Sequence, residues 1–549
     1  MVYRCNAVKE ILVWGLGAAV ILGMIGSCRN PDHYKRSADK EVYDILTGKW
    51  HDDFGRQVNY RVSEQAPNDL NVARMIPASG MINLAQAVDI ATQFNRDYQS
   101  QKESLYLAAL DLTGTRHQYR RQWFGTFDAT YATNNGTEDS TLGSGGGVNQ
   151  THLLGDGVQI GTGLAIDWIR FLSGDPRTTL DSVLTASVSA PLLGAGAGKA
   201  ARENLTQAER NVLYQIRSFN RFRKTFVISI IDSYYNVLQS RDTVRVREDS
   251  YRRQIDNTNQ LIMEADVGKT PQTTADEARQ ALLEAENNLV SARQNYQQTL
   301  DSFKIDLALP TDANVVLDQN ELPALEAAGV YEPTYTEEEA TEIALARRLD
   351  LANIRDRLDD AERKLILAAE GLGVQVNLVG SANVDSTPNT EFTRLRFHEG
   401  NYALGLEGDL PFDRNAERNA YREALITVQQ RQRTYDNEID RIKLFVRNAF
   451  RDLAETAESY RIQKTSVELA ENRVQEQKIK LRVGRGVIRD LQISEAALVQ
   501  AQISMTNALV SHTLAKLNFF RDVGLLQVRP DGMWEQVNYE TSDRQANAQ

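Results

Sequence analysis

The sequence is poor in cysteine, histidine and proline, and each shortage excludes a class of protein. Two cysteines among 549 residues cannot build a disulfide scaffold or a cysteine-rich zinc site. Twelve prolines are too few for a collagen-like or proline-rich disordered chain, and six histidines leave little material for metal chemistry. The formal net charge is −12, which argues against a nucleic-acid binder because phosphate contacts need clustered Lys and Arg.

Little of the chain is apolar enough for transmembrane helices. A mean hydropathy of −0.44 excludes a bundle of apolar membrane-spanning helices. It does not exclude a membrane β-barrel, whose strands alternate in polarity and are only mildly apolar overall. At about 100–200 residues per domain, the length alone would predict three to five globular domains.

Residues 1–27 have the layout of a secretory signal. Two basic residues precede an apolar run from Ile11 to Ile25, which is short for a spanning helix of roughly 20 residues. The run ends in Ile-Gly-Ser-Cys, which resembles a bacterial lipobox. That resemblance implies cleavage before Cys28 and acylation of this residue, palmitate included; Arg29 in place of a retention aspartate implies the outer membrane. The alternative is an uncleaved anchor helix.

Two stretches of the chain follow one plan. The segment Ile82–Ala91 matches Tyr335–Ala344, and Val267-Gly268-Lys269 matches Val483-Gly484-Arg485. After each glycine turn, apolar residues recur with 3-4 spacing. We therefore predict a tandem repeat. The predicted parts are the signal at 1–27, an extension after the lipidated cysteine at 28–78, a first repeat at 79–327, a second repeat at 328–527, and a polar tail at 528–549.

Each repeat is predicted to contain one very long helix and two strands. No proline lies between residues 192 and 270 or between 412 and 529, so both windows permit long helices. Residues 203–266 as one helix would reach roughly 95 Å. Outside these windows the hydrophobic period changes to two, which predicts strands. The four alternating segments are Trp123–Tyr131, Leu184–Ala190, Val374–Gly380 and Tyr402–Leu410.

A fifth alternating segment, Val158–Trp168, conflicts with this count. If helices enter and leave a barrel on one side, each repeat needs an even number of crossings. Either this segment is an extracellular ribbon, or one of the strand assignments is wrong. The glycine-rich stretch Gly143–Gly147 is predicted to be a flexible surface loop. We also predict a short amphipathic helix at 38–46 and a disordered tail from about 528.

The order helix, strand, strand, long helix, turn, helix, given twice, resembles the TolC-type outer-membrane efflux proteins of the outer membrane factor family, here as a lipoprotein variant. The resemblance rests on the repeat openings, the strand-to-helix corners at Pro191 and Pro411, and the two glycine turns, and it covers about 80–526. It implies an α+β membrane protein: a homotrimer whose twelve-stranded β-barrel, four strands from each protomer, continues into a coiled-coil α-helical barrel in the periplasm.

The function implied by this resemblance is that of a passive exit duct in a tripartite export system. An inner-membrane pump supplies the energy, and a periplasmic adaptor (membrane fusion protein) joins pump to duct. Drug or small-molecule efflux is favoured over type I protein secretion. The alternative in a different class is a structural coiled-coil lipoprotein that spans the periplasm without a pore.

The resemblance also implies roles for particular residues. The two turns would be the adaptor-contacting tips, formed by Val267, Gly268, Lys269, Val483, Gly484 and Arg485. Asp490 matches a constriction aspartate, and three copies would form a ring that favours cations. The family's second aspartate falls at Ile493, so this ring is absent or altered. The alternatives are a plain interhelical turn at each tip, and an aspartate at position 490 that only interacts favourably with the helix dipole.

No grouping of residues predicts an enzyme. The stretch Gly194–Lys199 looks like a phosphate loop, but Leu193 stands where its first glycine belongs and Ala200 where Ser or Thr belongs. No Ser/His/Asp or His/Glu constellation has useful local spacing, which disfavours a hydrolase. We therefore expect no catalytic residue, no metal, no cofactor and no nucleic-acid partner.

Overall fold

A computed structural model describes residues 30–54, 59–62, 80–134, 139–172, 178–194, 198–333, 335–387, 391–409, 412–483, 485–529 and 534–536. The signal at 1–27, Cys28 and Gly484 lie outside these residues. The chain divides into two compact units. The first draws on residues 1–57, 106–213 and 374–410, and the second on 58–105, 214–373 and 411–549.

The described residues form ten α-helices and eleven strands. The helices are α1 Pro31–Phe54, α2 Leu84–Phe94, α3 Arg96–Gln118, α4 Lys199–Asp266, α5 Gln272–Asp306, α6 Glu321–Ala328, α7 Glu337–Arg347, α8 Leu349–Glu370, α9 Asn415–Arg482 and α10 Ile488–Val523. The strands are β1 Met81–Ile82, β2 Gln122–Asn134, β3 Asp139–Leu153, β4 Gln159–Phe171, β5 Thr178–Leu193, β6 Val316–Leu317, β7 Gln375–Thr387, β8 Glu391–Leu395, β9 Asn401–Asp409, β10 Leu526–Val528 and β11 Trp534–Gln536. None of these described helices has both the length and the hydropathy that a membrane crossing requires.

The matching sequence openings form the same kind of helix start. At α2, the Asn83 side chain accepts the Gln86 N–H at 2.8 Å, and the Gln86 side chain accepts the Asn83 N–H at 3.1 Å. At α7, Thr336 and Glu339 make the equivalent pair of bonds at 3.2 and 2.9 Å. Each capping box satisfies two backbone donors that a helix start leaves free. The repeated motif is therefore a local signal for where a helix begins.

Each proline-free window holds one very long continuous helix, as predicted, and the second window also holds α10. Helices α4 and α9 have 68 residues each, and a straight helix of that length spans about 100 Å. In the second unit, apolar residues with 3-4 spacing form a buried seam along α9, with Val446 and Leu453 fully covered. Further along the seam, Tyr460 packs on Ala508 and Leu509 of α10. The seam buries apolar area along the helix instead of in a compact core.

The strands of the first unit form one sheet, and the prediction of four strands per chain is wrong. Six long strands lie in the order β2-β3-β4-β5-β7-β9, each antiparallel to its neighbours, and the short β8 pairs with β7. All four predicted strand segments are present. The fifth segment, Val158–Trp168, is the core of β4, and the additional strand that pairs with it is β3. The number of strands between α3 and α4 is therefore even.

The glycine-rich stretch Gly143–Gly147 is not a loop but the middle of β3, paired with β2 on one side and β4 on the other. Glycine weakens a strand pattern because it adds no apolar side chain, so periodicity gave no signal here. Neighbouring side chains occupy the space above it: a Cβ added to Gly145 would lie 2.6 Å from Asp128 Oδ1 and 2.8 Å from Asp167 Oδ1. A larger residue at this position would require the Asp128 and Asp167 side chains to move.

The described segments near both ends of the sequence have more regular structure than predicted. The short helix expected at 38–46 is the middle of the longer α1, whose Leu46 and Trp50 are buried and whose Asp39 accepts the Tyr106 hydroxyl at 2.7 Å. The prediction of a disordered tail is wrong for 534–536, because β11 pairs antiparallel with β10. The other tail residues after 529 lie outside the described part.

His512 of α10 holds the segment that precedes α7, and it does so only in its neutral form. The ring is buried. Its Nε2 accepts the Tyr331 N–H at 3.0 Å, and its Nδ1 lies 3.3 Å from the Thr456 hydroxyl. Burial, and then the charges of Lys516 and Arg461, lower the pKa of His512. Protonation would remove the acceptor for the Tyr331 N–H.

We therefore predict that the second unit loses stability under mild acid. Because the folded pKa of His512 lies below its unfolded value of about 6.5, the stabilisation is complete above that value and is lost as the pH falls from it toward the folded pKa. The unfolding temperature in detergent should fall between pH 7.5 and 5.5. His512→Gln should show a smaller fall, and an equal fall in both proteins would contradict this role.

Candidate functional site

The first helical tip is a tight turn organised by one carboxylate. Helix α4 ends at Asp266, and Gly268 takes a left-handed φ of +74°. The Glu264 carboxylate accepts hydrogen bonds from Lys269 Nζ at 3.0 Å and from the Thr270 hydroxyl at 3.3 Å. Hydrogen bonds from Gln260 and then Lys269 lower the pKa of Glu264, so the bonds hold at neutral pH. Val267 at the apex is 78% exposed.

The second tip is built from a different set of contacts. The Val483 N–H donates to Ile479 O at 3.1 Å, and the Arg485 N–H donates to Lys480 O at 2.9 Å. Gly486 then passes against the end of α9: a Cβ there would lie 2.6 Å from the Leu481 backbone nitrogen. Close backbone approach of this kind is possible only for glycine. Val483 and Val487 are exposed, as Val267 is at the first tip.

The two tips pack together inside the second unit. Leu261 and Ala278 of the first hairpin form one apolar cluster with Val474, Ile488 and Leu491 of the second. The Thr258 hydroxyl also donates across the first hairpin to Ala278 O at 3.2 Å. The predicted tip residues are thus brought to one end of one unit, around a shared core.

A buried carboxylate ties the two hairpins together near this core. Glu495 of α10 is 6% exposed and lies 2.8 Å from Arg253 Nε of α4 and 3.0 Å from Lys478 Nζ of α9. A buried charge is tolerated only when cations compensate it. Sequence reasoning missed this residue. The signal was a charged side chain inside the apolar 3-4 series Leu491, Glu495, Leu498.

Asp490 lies in the first turn of α10 and is exposed. Its N–H donates to Val487 O at 3.1 Å, and its carbonyl oxygen accepts the Ser494 hydroxyl at 2.7 Å. A carboxylate in the first turn interacts favourably with the positive end of the helix dipole. The same exposure is what a residue on a pore wall requires.

The sheet of the first unit has two chemically different faces. In antiparallel pairs, opposite residues share a face. One face is predominantly apolar and contains Trp123, Phe127, Tyr131, Leu142, Val148, Ile160, Leu164, Ile166, Trp168, Leu180, Leu184, Val188, Leu378, Val384, Tyr402, Leu404 and Leu406. The opposite face carries Asp128, Asn149, Asp167, Asp181, Thr185, Ser187, Asn383, Asp385, Glu407 and Asp409. Along the six long strands as described, this polar face has carboxylates and no Lys or Arg.

Comparison with known proteins agrees with this architecture. The family model described as outer membrane efflux protein matches residues 157–303, from the start of β4 to near the end of α5. Among solved structures, a CusC structure described in terms of transmembrane channel formation matches with a TM-score of 0.60 at 14% identity, covering 80% of this chain and 92% of that chain.

Two further channels show the same fold. The outer membrane protein VceC of Vibrio cholerae has a TM-score of 0.58 at 13% identity, covering 80% of this chain and 96% of that one. The CmeC outer membrane channel of Campylobacter jejuni has 0.59 at 12%, covering 90% and 94%. No curated protein sequence matches significantly. The resemblance to TolC-type outer-membrane efflux proteins predicted from the sequence is confirmed.

We predict that Glu495→Gln destabilises the second unit by about 2–3 kcal/mol, below the ~3–5 kcal/mol of fully buried pairs because Arg253 and Lys478 keep partial access to water. Chemical unfolding monitored by helical circular dichroism measures the change. Glu468→Gln, at an exposed position of α9, is the matched control and should be neutral. Equal effects at both positions would rule out a bridging role for Glu495.

We also predict that alanine substitutions at the two tip glycines have different effects on stability. Gly486→Ala drives a Cβ into fixed backbone and should cost about 1–3 kcal/mol. Gly268→Ala meets no atom within 4 Å, so it should carry only the left-handed penalty of about 1–2 kcal/mol. Hydrogen exchange at Lys480 and Leu481 should rise in Gly486→Ala only. A matching rise in Gly268→Ala would show that the contact at Gly486 is unimportant.

Proposed function

We propose that this chain is the outer-membrane exit duct of a tripartite export system, acting as a homotrimer that conducts substrates passively. The observation that carries the proposal is the combination, in one chain, of an exposed apolar sheet face and an opposite acidic face with paired long helical hairpins. Outer-membrane strands need an apolar face for lipid and a polar face for water. The match to an efflux family model and to solved outer-membrane channels supports the same role.

The dimensions of the sheet support a position in the outer membrane. Trp123 and Tyr131 lie on the apolar face of β2, eight residues apart. At ~3.3 Å per residue this separation is about 26 Å along the strand. At the roughly 35–45° tilt of outer-membrane strands it covers about 20 Å of height, which fits within their ~25 Å apolar band. In this proposal Cys28 carries the lipid anchor and the rest of the N-terminal extension follows it.

The helical tips would be the surface that meets the periplasmic adaptor, which in turn joins the inner-membrane pump. Exposed apolar side chains at Val267, Val483 and Val487 sit beside the cations Lys269 and Arg485. An exposed apolar patch rimmed by polar residues is typical of a protein-binding surface. Because the matching family is described by efflux, drugs or other small molecules are favoured over type I secreted proteins as cargo.

The alternative, a structural lipoprotein without a pore, leaves the sheet unexplained. Such a protein would expose Phe127, Leu404 and Leu406 to water. It would also have no use for an acidic face opposite the apolar one.

Planar-bilayer recording of the purified protein tests the proposal. We expect ion-conducting channels with a preference for cations, because Asp490 and the acidic strand face both attract them. Asp490→Asn should weaken that preference, seen as a smaller reversal potential in a salt gradient, and Asp490→Glu should keep it. Absence of conductance in the native protein and in Asp490→Ala would exclude a duct.

A further inference from the structure

The β3–β4 hairpin adds two strands to the sheet and runs along its full height. The hairpin turn at 154–158 lies beside the first turns of α4. There Arg202 Nε donates to Gly155 O at 2.9 Å, and Arg202 Nη2 donates to Asp156 Oδ1 at 2.9 Å. A ribbon outside the membrane would turn at the end away from the helices. Strand β3 instead returns all the way to the end of the sheet where α4 begins.

The hairpin carries the same apolar face as the other strands. Val148 and Leu164 are opposite each other and both exposed. They continue the row that begins at Gly125 of β2 and passes on to Leu184 of β5. A hairpin in water would expose this row at a cost, whereas in lipid the same row is favourable. The hairpin therefore belongs with the lipid-facing strands.

The two ends of the sheet are open edges. Within the described residues, β2 pairs only with β3 and β9 pairs only with β7. Both edge strands expose large apolar side chains, with Tyr131 64% and Leu404 77% exposed. Unpaired backbone N–H and C=O groups are strongly unfavourable in lipid, so each edge must pair with another strand. The described part of this chain offers none.

A second copy of the chain fits both edges. Six strands in strict antiparallel order mean that β2 and β9 run in opposite directions. The β9 edge of one copy therefore meets the β2 edge of the next antiparallel, with the apolar faces on the same side. An odd number of strands would make this contact parallel and break the pattern.

We infer that each copy contributes six strands, so that the proposed trimer closes an eighteen-stranded barrel in which β9 of one copy pairs with β2 of the next. This replaces the twelve-stranded barrel expected from the sequence, and it rests on the proposed function. Diameter grows roughly linearly with strand number, so the barrel is about 1.5 times as wide as one of twelve strands. The added hairpin has glycine at five inward positions, 143, 145, 147, 161 and 163, so these positions add no side chain to the lumen.

Disulfide trapping between copies tests the edge pairing. Leu404→Cys on β9 is combined in turn with cysteine at Trp123, Gly125, Phe127 and Ala129 of β2, and membranes are oxidised and run on a non-reducing gel. One or two neighbouring β2 positions should give a covalent dimer or trimer. The matched series places cysteine at Ile160, Thr162, Leu164 and Ile166 of β4, the edge that a twelve-stranded barrel of β4, β5, β7 and β9 would present. The parent protein with its native cysteines is the background control.

The outcomes separate this inference from the proposed function. Cross-links from the β2 series alone support the eighteen-stranded barrel. Cross-links from the β4 series, or none from either series in a protein that still conducts, overturn the barrel and leave the duct intact. A monomeric, non-conducting protein overturns both. A strand count of eighteen in an electron cryo-microscopy reconstruction should agree with the β2 cross-links, and a count of twelve would contradict them.

Discussion

Backbone hydrogen bonding at the edges of one sheet is the constraint on which the rest of this molecule depends. Within the part of the chain that the structure describes, strands β2 and β9 each have a neighbour on one side only, and both expose apolar side chains. Such an edge is unfavourable in both solvents, because the apolar side chains are unfavourable in water and the unpaired N–H and C=O groups are unfavourable in lipid. The first unit is therefore incomplete as a single chain, and the proposed assembly follows from that incompleteness.

The helical unit meets a different requirement, which is to keep two long hairpins in register. Apolar seams alone allow neighbouring helices to slide, since one 3-4 row resembles the next. Glu495 with Arg253 and Lys478 gives the packing one polar reference point, next to the cluster around Leu261 and Ile488. Buried polar groups are best attested in this role of fixing register. The tips are consequently well defined even though their outer residues are exposed.

Local signals predicted much of this structure, although the chain has few motifs. The capping boxes at Asn83 and Thr336 involve residues three apart, so the sequence contains the whole interaction. The proline-free windows likewise indicated the long helices α4 and α9 from the sequence alone, without knowledge of the segments that they pack against. Prediction failed at β3, where the Asp128 and Asp167 side chains of neighbouring strands occupy the space above Gly145. It failed at Glu495 for the same reason, since both cations belong to other helices.

By itself the sequence determined the duplicated plan, the helix starts, the long helices and the polar–apolar alternation of the strands. These features depend on backbone propensity and on periodicity within one segment, and both can be seen in a single stretch of chain. The tertiary structure decided how many strands share the sheet, which glycines are fixed by close contact, and which charge is buried between the hairpins. Those properties depend on what a residue faces across space, and a linear pattern contains no record of that neighbour.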